Sequence, residues 1–92
     1  MSVESIQLKI KNKLGMHARP AAIFVQFATK FESDIFVEKD GEKVNGKSLI
    51  NLLMLSAGYN STITVSASGK DQKSALIALE DLINNNTEFN EQ

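Results

Sequence analysis

His17-Ala18-Arg19-Pro20 brings the chain's only histidine and only proline within four residues, with an arginine between them, where an apolar helical run begins in KLGMHARPAA (13–22). A helix start leaves its first backbone N–H groups without intrahelical acceptors. Most helices answer with Ser, Thr, Asp or Asn at the N-cap. Here Leu14, Gly15, Met16 and His17 precede the helix, and none is a good cap. Pro20 suits the first turn, because its missing N–H would be unpaired there anyway. It also biases Arg19 away from helical angles, so the helix is expected to start near position 19 or with local strain. An uncapped helix head with a guanidinium two residues from an imidazole is an anion site, and phosphate fits it best because Arg can bind it bidentately.

The imidazole adds a nucleophile to that site. A phosphoryl group accepted by His17 would place its negative charge on the unpaired N–H groups of the helix head and on Arg19. Phosphoryl transfer asks for little beyond such positioning and electrostatics. Spacing alone leaves a commoner role open, since a lone histidine near a helix start is more often a surface or capping residue. Metal ligation ranks lower: no cysteine is present, and no carboxylate cluster surrounds the one histidine.

Ninety-two residues make a single domain, 1–92, with one core. Ten basic against eleven acidic residues give a net charge of −1, which argues against nucleic acid as partner. No stretch approaches the ~20 apolar residues of a membrane span, and MSVESIQLKIKNK has no apolar leader core. The protein is therefore expected to be cytoplasmic.

The elements that must position His17 follow from periodicity. Ile6, Leu8 and Ile10 alternate with polar residues as in a half-buried strand. Ala21, Phe24, Ala28 and Phe31 recur at helical spacing from Ala18 to about Phe31. Asp34 to Lys39 reads as a strand, Asp40-Gly41 as a type I′ hairpin turn and Glu42 to Asn45 as the return strand. Ser48 is placed to cap a short helix from Leu49 to about Leu55. Thr62 to Ala67 alternates as a strand, and Asp71 is placed to cap a last helix whose buried stripe is Leu76, Leu79 and Ile83. Residues 86–92 read as a frayed tail. The order β-α-β-β-α-β-α predicts an α+β fold, a four-stranded sheet with helices on one face. A ferredoxin-like arrangement shares most of that order.

The helix 49–55 is apolar nearly all round, with only Asn51 polar. Ile50 and Leu53 are the candidates for an exposed docking patch, whereas Leu49 and Leu52 are harder to place. Ser48 is by default a plain N-cap, yet a hydroxyl at a helix head also tolerates phosphorylation.

At these residues the chain resembles the HPr family, the histidine phosphocarriers of the bacterial phosphoenolpyruvate-dependent phosphotransferase system. Gly15-Met16-His17-Ala18-Arg19-Pro20-Ala21, Asn45-Gly46-Lys47-Ser48-Leu49 and Ser66-Ala67-Ser68-Gly69 carry the resemblance over nearly the whole chain. It implies an HPr-like open-faced β-sandwich, a four-stranded antiparallel sheet with three helices on one face. It implies that His17 takes a phosphoryl group on Nδ1 from enzyme I and passes it to IIA components, with Arg19 and the N–H groups of Ala18 and Arg19 holding the phosphate. Ser48 falls on the serine that an HPr kinase/phosphorylase modifies in some bacteria, for signalling to a transcriptional regulator. Ile50 and Leu53, with Leu49 beside them, fall on the docking surface. KLGMHARPA and LLML look closer to the family's nitrogen-related carrier, and GKS to members subject to serine phosphorylation. Leu14 stands where the family's sugar-branch members are often polar.

The leading expectation is thus a monomeric phosphocarrier, not an enzyme, with no cofactor, no metal and no membrane insertion. The alternative is a regulatory protein-binding module acting through the 49–55 patch under control of Ser48. A small-ligand or RNA module would need surface aromatics or a basic face, and one Tyr, no Trp and a charge of −1 supply neither.

Overall fold

The inward row Ile6, Leu8, Ile10 forms β1 (Glu4–Lys9) and its exit in the computed structural model, which describes residues 2–90. There follow α1 (Ala18–Ala28), β2 (Asp34–Lys39), β3 (Glu42–Asn45), α2 (Leu49–Met54), β4 (Thr62–Ser68), α3 (Gln72–Asn85) and α4 (Thr87–Asn90). The sheet order is β1-β4-β2-β3, and every neighbouring pair is antiparallel. The last strand is inserted between the first two, with Ile6 opposite Val65 and Val37 opposite Val65 on its other side. A ferredoxin-like sheet would put the hairpin strand β3 there instead, so the order decides between the two arrangements.

Period-2 alternation turns Leu8, Ile35, Val37, Ile63, Val65 and Ala67 to one face, where all are buried. Pro20, Ala21, Phe24 and Ala28 from α1 and Leu76, Leu79, Leu82 and Ile83 from α3 close over them. Burying a side chain such as Phe24 contributes about 1.5–3 kcal/mol relative to leaving it exposed. Asp40 and Gly41 both take positive φ (52° and 84°), as a type I′ turn requires.

Three expectations change. The segment read as a frayed tail is ordered through Asn90: α4 adds a fourth helix because Phe89, 1% exposed, inserts into the core. The Asn86 side chain caps it by accepting from Glu88 N–H at 2.8 Å. Residues 91–92 of that tail lie outside the described residues. Helix α1 ends at Ala28 rather than near Phe31, and Thr29 closes it with a hydroxyl bond to Gln26 O at 3.1 Å. Asp71 occupies the N-cap position of α3 but makes no cap bond with its side chain. Its carboxylate instead accepts from the Glu32 N–H (2.9 Å), the Ser33 N–H (3.0 Å) and the Ser33 hydroxyl, tying the entrance of β2 to the head of α3. The Gln72 side chain faces back, accepting from Gly69 N–H at 3.1 Å.

These bonds, the Ser33 hydroxyl first and then the Glu32 amide, hold the Asp71 carboxyl below its ordinary 3.8 and outweigh the opposing effect of burial. A folded-state value below the unfolded one stabilises the fold above the unfolded value, and that stability is lost as pH falls through the folded value. Asp71→Asn is therefore expected to lower the urea midpoint at neutral pH. It should also flatten the loss of stability below about pH 4 relative to wild type. Urea titrations at pH 7 and across the acid range check both outcomes.

Candidate phosphoryl-acceptor site

The loop between β1 and α1 is fastened at several points to the segment after α2. Ile10 N–H donates to Ser61 O at 2.9 Å, Asn60 N–H to Ile10 O at 2.7 Å, and Met16 N–H to Ala57 O at 2.8 Å. Gly15 has φ +73°, and a Cβ there would lie 2.6 Å from Ala57 O and 2.7 Å from Gly58 Cα. Only glycine both adopts that angle and permits that approach. Met16 is buried beside it.

This loop delivers His17 to the N-cap of α1, half-buried, in extended conformation (φ −93°, ψ −168°) and with no cap bond from its side chain. The helical ladder starts with Ala21 N–H donating to His17 O at 2.9 Å. The N–H groups of Ala18 and Arg19 precede that ladder, and Pro20 has none. Both residues are exposed, and their amides sit at the positive end of the helix. Contrary to the pre-proline bias, Arg19 is helical: the turn starts at Ala18, and burial of Pro20 against the core holds it there.

Arg19, the only arginine of the chain, is largely exposed and pairs with Glu88 of α4 (Nη1 to Oε2, 3.4 Å) rather than with a group on His17. Sixty-nine residues of chain separate the partners, so neither spacing nor periodicity signalled the pair.

Ser48 is the N-cap of α2, its Oγ accepting from Asn51 N–H at 3.3 Å. Asn45 Oδ1 accepts from Lys47 N–H at 2.9 Å, and the Lys47 ammonium donates to Phe31 O at 2.7 Å, so the approach to Ser48 is held from both sides. In α2, Leu52 is fully buried, which places the residue spacing could not. Ile50 (68% exposed), Leu53 and Leu49 stand out of the core, joined by Met54 (67%), which sequence reasoning did not single out. Leu14, on the loop that carries His17, is a further exposed apolar side chain, at 76%.

Comparison with known proteins places this geometry. The family model "PTS HPr component phosphorylation site" matches residues 4–85. The chain is 52% identical to an HPr-like protein Crh of Halalkalibacterium halodurans over 73 residues, 79% of this chain and 87% of that one. It is 44% identical to a phosphocarrier protein HPr of Neisseria meningitidis over 77 residues, 84% of this chain and 86% of that one. A crystal structure of HPr from Thermoanaerobacter tengcongensis superposes with a TM-score of 0.88 at 46% identity, covering 97% of this chain and 98% of that one. Fold and matched segment together define a small histidine-phosphocarrier domain. The chain belongs to the HPr family of the phosphotransferase system.

Proposed function

We propose that His17 accepts a phosphoryl group from phosphorylated enzyme I and hands it to IIA components, the monomer acting as a cytoplasmic carrier. The observation that carries this reading is His17 at the N-cap of α1 beside two N–H groups outside the helical ladder, within a segment matched by the family model. The Nδ1–P bond forms as the bond from phosphorus to enzyme I breaks, and delivery to IIA reverses the roles. In between, the negative charge rests on the Ala18 and Arg19 amides at the positive end of the helix. Leu14, Leu49, Ile50 and Leu53 supply the apolar ground on which each partner seats in turn.

The test is intact mass after incubation with phosphoenolpyruvate and a trace of enzyme I, followed by addition of a IIA component. The reading expects one acid-labile phosphoryl group that disappears when IIA is added. An acid-stable adduct, or none, contradicts it.

A phosphoryl group on His17 competes with Glu88 for the Arg19 guanidinium. An exposed ion pair contributes only about 0–1 kcal/mol, whereas a charge-assisted bond to phosphate contributes about 1.5–3 kcal/mol. The phosphoryl group therefore wins. Arg19→Gln should slow phosphoryl acceptance roughly 10- to 100-fold, and Glu88→Gln should speed it by at most about fivefold. Rapid-quench kinetics with enzyme I reads both.

A second reading has its own support. The relative at 52% identity is an HPr-like Crh, and Ser48 caps a helix whose outer face is apolar. In that reading a kinase of the HPr kinase/phosphorylase type modifies Ser48 and the 49–55 surface engages a transcriptional regulator. Ser48→Ala would then abolish regulation while His17→Ala left it intact.

A further inference from the structure

The inward row of β1 does not stop at Ile10. The next residue in phase is Asn12, which is 3% exposed. Its Nδ2 donates to Gly15 O at 2.6 Å, while its Oδ1 is the one buried side-chain polar atom without a hydrogen-bond partner among the described residues. A buried acceptor left unpaired costs folding free energy, and an apolar side chain of similar volume would remove that cost. Packing therefore does not account for an amide at this position. What its Nδ2 holds does.

Gly15 O takes two hydrogen bonds. Asn12 Nδ2 donates to one side, and the His17 N–H donates to the other at 2.8 Å. Gly15 N–H in turn donates to Asn12 O at 3.0 Å, so Asn12 holds the peptide group before Gly15 through its main chain and the one after it through its side chain. The His17 amide is thereby directed back into the loop, which fixes the extended N-cap conformation from which the imidazole projects. The Ala18 and Arg19 amides are left as the N–H groups at the helix head. Without the Asn12 bond, the Gly15–Met16 peptide keeps its Met16 N–H bond to Ala57 O, but its carbonyl is held only by the His17 N–H, so the orientation of the His17 backbone loses its side-chain anchor.

We propose that Asn12 is a positioning residue for His17, its side-chain amide locking the Gly15 carbonyl that orients the phosphoryl-accepting histidine. The proposal rests on His17 being the acceptor.

Asn12→Leu keeps volume and removes both the donor and the orphaned acceptor. Asn12→Asp keeps shape and sets an acceptor against Gly15 O. Both should lower the saturating single-turnover rate of phosphoryl uptake from enzyme I at least about tenfold, with the half-saturating concentration unchanged. The His17 amide should exchange with solvent at least about tenfold faster in both. The urea midpoint of Asn12→Leu should equal or exceed that of wild type. In the wild type, the Asn12 Nδ2 protons should be protected from exchange before and after phosphorylation, a measurement that stands even where a variant fails to fold. A wild-type saturating rate in either variant, an unchanged His17 exchange rate, or unprotected Nδ2 protons in the wild type overturns the proposal. If the wild type itself takes up no phosphoryl group on His17, the acceptor reading falls instead, and the two failures are told apart.

Discussion

His17→Ala is expected to take up no phosphoryl group from phosphorylated enzyme I while keeping its fold and its urea midpoint close to wild type. Loss is complete rather than partial because the side chain is the acceptor itself. The neighbouring amides and Arg19 stabilise charge on a phosphoryl group but offer no nucleophile. The fold survives because the His17 side chain makes no cap bond and is only half-buried, so truncation leaves no cavity and no orphaned partner. The His17 backbone bonds, N–H to Gly15 O and O from Ala21 N–H, are open equally to alanine. Intact-mass spectrometry beside a denaturant titration separates the two properties. Uptake by His17→Ala at the wild-type level would move the acceptor elsewhere, Ser48 being the obvious candidate.

Gly15→Ala should produce the largest change in stability of any single methyl added to the site loop. A φ of +73° costs an L-residue about 1–2 kcal/mol. The new Cβ would also meet Ala57 O at 2.6 Å and Gly58 Cα at 2.7 Å. Both are backbone atoms and cannot swing aside, so overpacking adds about 1–3 kcal/mol more. A total of about 2–5 kcal/mol is a large part of the 5–15 kcal/mol that holds a domain folded. It corresponds to a fall in Tm of at least roughly 8 °C for a domain of this length. Relief of the clash would push the loop off Ala57, breaking the Met16 N–H bond and displacing His17, so the surviving folded protein should also accept phosphoryl groups more slowly. Gly41→Ala is the matched control: its φ is +84°, yet nothing lies within 4 Å of its Cβ. It should carry the conformational cost alone. Equal losses at the two glycines would show that the close approach to Ala57 is unimportant.

The parts of this structure that were readable in advance are those written in local chemistry. Alternation at Ile6, Leu8 and Ile10, the Asp40-Gly41 turn and the Ser48 cap each depend on neighbours within a few residues, and each stands where its spacing put it. The position of His17 at an uncapped helix head was legible for the same reason. What was not legible depends on contacts between distant segments. Phe89 is a lone apolar residue in a polar stretch, so no period announces α4, and only its burial against the core forms it. The Asp71 carboxylate looked like a cap because the local geometry invites one, but two amides and a hydroxyl at Glu32 and Ser33 compete for it and win. Arg19 finds Glu88 only once α4 is docked. Asn12 was not singled out, although it lies in phase with Ile6, Leu8 and Ile10, and a polar residue in an apolar row is a signal that spacing alone supplies.

The central claim is most directly tested by locating the phosphoryl group. The wild-type chain would be incubated briefly with phosphoenolpyruvate and a trace of enzyme I, kept alkaline, and analysed by phosphorus NMR and residue-level mass mapping. One phosphoryl group on Nδ1 of His17 is the predicted result. A group on Ser48 or any other residue, or a chain that stays unmodified beside active enzyme I, would contradict it.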